Sequence, residues 1–237
     1  MIRISVVTVC LNAEKVIGRC LDSVLTQTYK NLEYLVVDGG STDGSLELIH
    51  RVRNKIDYFV SEPDRGLYHA MNKGIQAATG EFVYFLNTDD YFCDAEVVAD
   101  VARAIEDNPG VDLLYGDVLM HDGLQWIQKP PLPILNRETL CRKGFCHQAL
   151  FAGRKVLLET GGFSEDYRIV ADADWLARAL SCGATSLYLK RDIAKISLDG
   201  LSSRTRWRDE KKRYLRANYT PWERFLWRKL PGILGRK

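Results

Sequence analysis

The chain has 237 residues, 46% of them apolar and 27% charged, with a net charge of +2; this suits one large domain with an appendage and excludes a disordered, collagenous or coiled-coil chain. A folded chain of this length hides roughly 70% of its unfolded surface, enough for a substantial core. Six cysteines without a CxxC pair and an opening without an apolar leader fit small buried thiols in a reducing cytoplasm, and no run approaches the ~18 apolar residues of a bilayer span.

The elements alternate along the first half. Ile4 to Leu11 is a β-branched run without helical period, followed by apolar positions at Val16, Ile17, Cys20, Leu21, Val24 and Leu25 that predict an amphipathic helix. Leu32 to Val37 repeats the strand, leads into Gly39 and Gly40, and is followed by a helical stretch from Ser45 to Asn54. Tyr58 to Val60 is a short strand, Leu67 to Ala78 a helix, Glu81 to Leu86 a fourth strand and Ala95 to Glu106 a further helix. Such alternation implies right-handed crossovers and a doubly wound, mostly parallel α/β sheet. The pattern then loosens. Asp112 to Tyr115 reads as a strand, Val118 to Gln128 as a hairpin around Asp122-Gly123, and Pro130, Pro131 and Pro133 as a loop. Helices at Arg154 to Thr160 and Ala173 to Cys182, with strands at Ser186 to Lys190 and Ile193 to Ser197, complete a domain over residues 1–203, divided near 110.

Ligands of open α/β sheets sit beyond the carboxyl ends of the strands, which singles out Asn12, Asp38, Asp89 and Asp90. Two adjacent carboxylates repel each other unless a cation or donors neutralise them, and a hard divalent ion is the natural partner. The VVDGGSTDGS segment lacks both GxGxxG and GxxxxGK[ST], which argues against a dinucleotide fold and a P-loop. Asp172 and Asp174 open a predicted helix, where capping is the ordinary explanation.

In that order, SVVTVCLNAE, VVDGGSTDGS, EPDRGLYHAMNKGIQAATGEFVYFLNTDD and GGFSEDYRIVADADWLARAL resemble the family 2 inverting glycosyltransferases of the GT-A fold over residues 5–180. The form of DRGLYHAMNKG, with His147 and Gln148, is similar to bacterial members that build surface polysaccharides. The resemblance implies a nucleotide-diphospho-sugar donor, UDP-linked by family preference, and an Mn2+ or Mg2+ ion. It places Thr8, Asn12, Glu14, Asp38 and Ser41 around the nucleotide, and Asp64, Arg65 and an Asn72-Lys73-Gly74 turn beside the nucleotide or diphosphate. The family's Asp-x-Asp metal motif reads Asn87-Thr88-Asp89, so the metal falls to Asp89, with Asp90 as a second ligand and Asn87 on the ribose. The family's Glu-Asp-x-Asp reads Ala171-Asp172-Ala173-Asp174, making Asp172 the base and Asp174 the second choice. His147, Gln148 and Trp175 are then acceptor contacts, the acceptor being a glycan or a polyprenyl-diphosphate-linked oligosaccharide.

Residues 204–237 hold 12 basic and 3 acidic side chains, a charge of +9, against −7 for the rest. Interleaved Trp, Tyr, Phe and Leu make this an interfacial composition, consistent with peripheral attachment to the anionic inner face of a cell membrane. Helix packing on the domain and dimerisation through the tail are the alternatives; nothing reads a nucleic acid. A non-catalytic sugar-nucleotide-binding scaffold and a nucleotidyltransferase are the rival functions. Retained Asp38, Asp89 and Asp172 oppose the first, and Asn12-Ala13-Glu14-Lys15, which is no Gly-rich basic loop, opposes the second.

Overall fold

The structure, a computed structural model, describes residues 1–121, 125–128, 134–197 and 208–229. Its framework is a nine-stranded mixed sheet. β1 (Ile4–Cys10) lies between β2 (Leu32–Asp38) and β4 (Phe82–Asn87), and β3 (Tyr58–Ser61) extends the edge beyond β2, all parallel. β1 is buried along its whole length, which is why its sequence is a continuous β-branched run rather than an alternation. α1 (Ile17–Leu25), α2 (Ser45–Arg51) and α4 (Val97–Glu106) cover one face against Ile4, Val6, Tyr34 and Tyr84; α3 (Leu67–Ala77) covers the other against Val7, Leu35 and Val83. Gly74 sits where α3 meets β1. A Cβ there would lie 2.4 Å from Val7 Cγ1, so only glycine permits the approach. Asn72, Lys73 and Gly74 are therefore mid-helix, and the expected turn does not form.

The second half is antiparallel in part. β8 (Leu150–Gly153) pairs antiparallel with both β4 and β6 (Leu113–His121), β6 runs parallel to β9 (Ser186–Ile196), and β5 (Tyr91–Phe92) closes the far edge on β9. β7 (Trp126–Gln128) pairs with β6 as the predicted hairpin, whose turn lies outside the described residues. Two strands expected before and after residue 191 are one, and β6 likewise runs on through residue 116. The join is an irregularity in the β6–β9 register at Asp117, where Gly116 passes so close to Arg191 that a Cβ would lie 2.5 Å from its carbonyl oxygen. α5 (Arg137–Lys143), closed at its start by an Asn136–Thr139 capping box, and β8 are additions that sequence periodicity did not indicate.

α6 (Arg154–Glu159) and α7 (Ala171–Ser181) pack on the α3 side, and α8 (Arg208–Asn218) and α9 (Pro221–Lys229) join them there. Tyr214, Leu215, Tyr219 and Trp227 are buried in the same core as α7. Arg137 donates to the Asn218 carbonyl, pairs with Glu223 and lies over the Tyr219 ring, while Glu210 accepts the backbone N–H groups of Arg168 and Ile169. These four apolar residues are thus not available to a membrane. Trp222 and Phe225, 67% and 53% exposed and stacked at 6.0 Å, remain on the surface. Among the described residues no helix is long and apolar enough to cross a membrane.

Candidate active site

The ends of β1, β2 and β4 open on one side of the sheet, and two polar clusters form there. The first is centred on Asp38, the last residue of β2, fully buried. Its Oδ2 accepts from Gly40 N, Ser41 N and Ser61 Oγ at 3.0, 3.0 and 2.7 Å, and its Oδ1 from Ser41 Oγ at 2.5 Å. Burial alone would raise this carboxyl; hydrogen bonds from Ser41, Ser61 and the two amides outweigh it and hold the group below the usual aspartate range. Ser41 Oγ also accepts Asn12 N, and Asn12, at φ 50°, accepts Thr42 N through its side chain. Asp38 and Ser41 therefore organise the turn. Both side chains are occupied by partners within the chain, and Asn12 and Glu14 are exposed residues at this turn.

Thr8 requires a correction. It is fully buried, its hydroxyl 3.1 Å from Tyr34 Oη and 3.6 Å from Cys20 Sγ, because β1 is covered on both faces; it cannot meet a nucleotide. Asn72 is likewise structural, donating to Phe163 O and accepting Phe163 N, and so clamps α3 to the turn before α7. Lys73 pairs with Glu62 and Asp64 at 2.8 and 2.6 Å, Asp64 also meets His69 Nδ1 at 3.0 Å, and Arg65 reaches Glu165 at 2.8 Å. Asp64 lies beside Gly39, where a Cβ would sit 2.9 Å from Oδ2. These charges border the end of β2, with Lys73 as the cation nearest to the Asp64 carboxylate.

The second cluster joins the end of β4 to α7. Asp90 is 1% exposed; its Oδ2 accepts from Gln148 Nε2 at 2.9 Å and Asn87 Nδ2 at 3.2 Å, and its Oδ1 from Ser197 N at 3.1 Å. Burial and the neighbouring Asp89 charge push its pKa up to about 6. Gln148 is thereby a support for Asp90 rather than an acceptor contact, and Asp90 faces protein donors rather than a metal. Asn87 Nδ2 lies 3.4 Å from His147 Nε2, and His147 Nδ1 lies 3.2 Å from Asp172 Oδ2. Asp172 Oδ1 also accepts Ala173 N at 2.8 Å and lies 3.3 Å from the Tyr68 hydroxyl, whose shorter hydrogen bond goes to the Ile169 carbonyl at 2.6 Å. Its place in the first turn of α7 adds the favourable end of a helix dipole. With 21% of its side chain exposed, Asp172 lines a partly open, mostly apolar pocket whose walls include Phe85, Phe145, Leu150, Phe163, Trp175 and Leu176.

Asp174, two residues on, faces away. It pairs with Arg178 at 3.0 Å and accepts Asn218 Nδ2 at 2.7 Å, tying α7 to α8. Trp175 is 2% exposed and donates its indole N–H to Thr160 Oγ1; it contributes a wall, not an open stacking surface. Tyr68 was not singled out from sequence. It lies 104 residues from Asp172, and only its place within DRGLYHAMNKG hinted at a site.

No group of three or more His, Cys, Asp or Glu able to hold a metal exists among the described residues. The end of β4 still offers oxygen donors that suit a hard ion: the half-buried Asp89 carboxylate, and Asn87 Oδ1, which is buried without a hydrogen-bond partner among those residues. Magnesium and manganese are commonly held by one or two carboxylates together with waters and substrate phosphates, so this donor set fits.

Comparison with known proteins gives a consistent result. The sequence model described as glycosyl transferase family 2 matches residues 5–162. A PGL/p-HBAD biosynthesis glycosyltransferase of Mycobacterium bovis is 35% identical over 181 residues, covering 75% of this chain and 69% of that protein. TarS of S. aureus superposes with a TM-score of 0.71 at 24% identity, over 82% of this chain and 60% of its own. In complex with UDP-GlcNAc, TarS gives 0.77 at 21% identity, over 91% and 65%. The mannosyltransferase PcManGT of Pyrobaculum calidifontis, in complex with GDP-Man and Mn2+, gives 0.67 at 21% identity, over 90% and 62%. The chain thus spans less than two thirds of these structures, and at such identities they establish its fold, the GT-A arrangement.

Proposed function

The chain belongs to glycosyl transferase family 2, and on that premise we propose that it is a metal-dependent inverting enzyme moving a sugar from a nucleotide-diphospho-sugar, UDP-linked in the first instance, to a hydroxyl of a glycan or lipid-linked acceptor. The observation that carries this reading is Asp172. It is the one of the two α7 carboxylates that opens on the pocket, and Tyr68, His147 and the Ala173 amide hold it there. A carboxylate so fixed is equipped to accept the proton of an attacking hydroxyl as the new anomeric C–O bond forms. The bond from the anomeric carbon to the diphosphate oxygen breaks on the opposite face, and the nucleoside diphosphate leaves with that electron pair. Configuration inverts through an oxocarbenium-like state, without a covalent enzyme intermediate.

Asp89 with Asn87 Oδ1 would hold the divalent ion, which when bound offsets the charge developing on the diphosphate. Asn12, Glu14 and the Asp64–Lys73 pair border the donor, and His147 lies between donor and acceptor sides. The exposed Trp222–Phe225 pair on α9, with Arg224 between them in sequence, would attach the protein to an anionic membrane surface near a lipid-linked acceptor.

The test is calorimetric binding of UDP, GDP and dTDP with Mn2+ and again with EDTA, followed by NMR of the anomeric proton of any product. Metal-dependent binding of one nucleotide and an inverted product are expected. A folded protein that binds none of the three would favour a non-catalytic scaffold.

A further inference from the structure

A hydrogen-bonded line runs through the active site from the buried Asp90 to Asp172, by way of Asn87 and His147. The directions of donation follow from its buried end. Asp90 Oδ2 is a carboxylate oxygen, already accepting from Gln148, so Asn87 turns its NH2 group toward it; the inverted amide would set oxygen against oxygen. The NH2 group carries two hydrogens. One faces Asp90 Oδ2 and the other faces His147 Nε2, and a ring nitrogen that faces an N–H must accept. The imidazole proton is then on Nδ1, directed at Asp172 Oδ2.

We propose that Asn87 is a positioning residue that fixes His147 in its Nδ1–H tautomer, so that His147 donates to Asp172 and holds that carboxylate in the pocket wall. Free neutral histidine favours the other tautomer; here the Asp172 carboxylate at Nδ1 and the Asn87 N–H at Nε2 act together to favour Nδ1–H, and Asn87 supplies the half that faces away from the carboxylate. This accounts for asparagine where the family's metal motif has its first carboxylate. An aspartate at 87 would bring a third negative charge beside Asp89 and Asp90 and would offer no N–H to Asp90 or to His147. The metal ligand pattern and the tautomer requirement therefore pull in opposite directions at this position, and Asn87→Asp, although it restores Asp-x-Asp, should impair the site.

The inference rests on the transferase reading for the role of Asp172, but its first test does not. In protein labelled with 15N-histidine, long-range 1H–15N NMR at pH 8 distinguishes the two tautomers, and the His147 signals are identified by their loss in His147→Gln. The proposal expects Nδ1–H in the unsubstituted protein and a shift to Nε2–H in Asn87→Leu, with the signals of His50, His69 and His121 unmoved. A proton on Nε2 in the unsubstituted protein overturns the proposal, and that measurement needs no variant to fold. The second test is donor hydrolysis, with water in place of the acceptor, using the UDP-, GDP- or dTDP-sugar selected by nucleotide binding. His147→Leu should lower kcat about tenfold or more with donor KM within threefold, and His147→Gln, which keeps an N–H for Asp172, should recover part of the loss. Equal kcat in His147→Leu and the unsubstituted protein overturns the positioning role. If the tautomer is as expected but the unsubstituted protein hydrolyses no donor, the transferase reading fails and the tautomer assignment stands.

Discussion

The turn around Asp38 and the cluster around Asp172 lie at the same end of the sheet, yet they use their carboxylates in different ways. Asp38 is fully buried and both its oxygens are occupied by donors from Gly40, Ser41 and Ser61. Asp172 is held by the Ala173 amide and lies against His147 and Tyr68 but keeps a fifth of its side chain exposed, and the nearby Asn87 Oδ1 is buried without a hydrogen-bond partner among the described residues. A saturated carboxylate stabilises a fold, whereas one held firmly and left partly open can exchange a proton with a substrate. The first cluster shapes the surface at which a nucleotide is proposed to bind; the second is where the chemistry is proposed to occur.

The largest expected effect separates the two at once. Asp172→Asn should lower transfer by about 10²–10⁴-fold while metal-dependent nucleotide binding and the unfolding midpoint stay close to the unsubstituted values; near-normal transfer would remove Asp172 as the base. Asp38→Ala should act on the other quantity, costing about 3 kcal/mol in urea unfolding because several buried donors lose their acceptor. A folded, equally stable Asp38→Ala that no longer binds nucleotide would break the comparison. The same group sharpens it through pH. Because the folded-state pKa of Asp38 is depressed by its hydrogen bonds, its contribution is fully present above about pH 4 and is lost as pH falls through the depressed value. The stability difference between the unsubstituted protein and Asp38→Asn should therefore narrow on acidification.

Asp174→Ala comes next, at about 2 kcal/mol, through loss of the Arg178 pair and the Asn218 hydrogen bond. Transfer per folded molecule should persist, since this carboxylate points away from the pocket. The smallest effect on stability is expected for Trp222→Ser combined with Phe225→Ser. These exposed side chains should change unfolding by no more than about 0.5 kcal/mol, while co-sedimentation with anionic vesicles drops. Unchanged sedimentation would remove the proposed membrane contact.

The parallel half was legible because β1, β2 and β4 are buried runs that end at polar turns, and the helices between them show an apolar stripe. β1, β2, β4 and α3 fall within a residue or two of their predicted bounds. α5, β8 and the merging of strands across Gly116 were not legible. Short elements carry few residues of pattern, and that merger depends on a close backbone contact with Arg191 rather than on periodicity. Motif order likewise gave Asp172, Asn87, Asp89 and His147 the same standing as the buried or structurally bonded Thr8, Asn72 and Gln148, since all are polar residues of the same motifs.

What sequence by itself determined was the sheet class, the polar strand ends and the family, since these follow from hydrophobic period and ordered short motifs. Tertiary structure alone decided which polar groups are occupied. Asp172 and Asp174 are two residues apart on one helix, and only the packing of α7 between the pocket and the Arg178–Asn218 contacts turns one toward the pocket and the other toward α8. The basic tail shows the same limit: its composition matches a membrane surface, but four of its aromatic and aliphatic side chains are buried in the core. Burial and hydrogen-bond partnership are properties of residues far apart in the chain, such as Tyr68 with Asp172, and no local pattern encodes them.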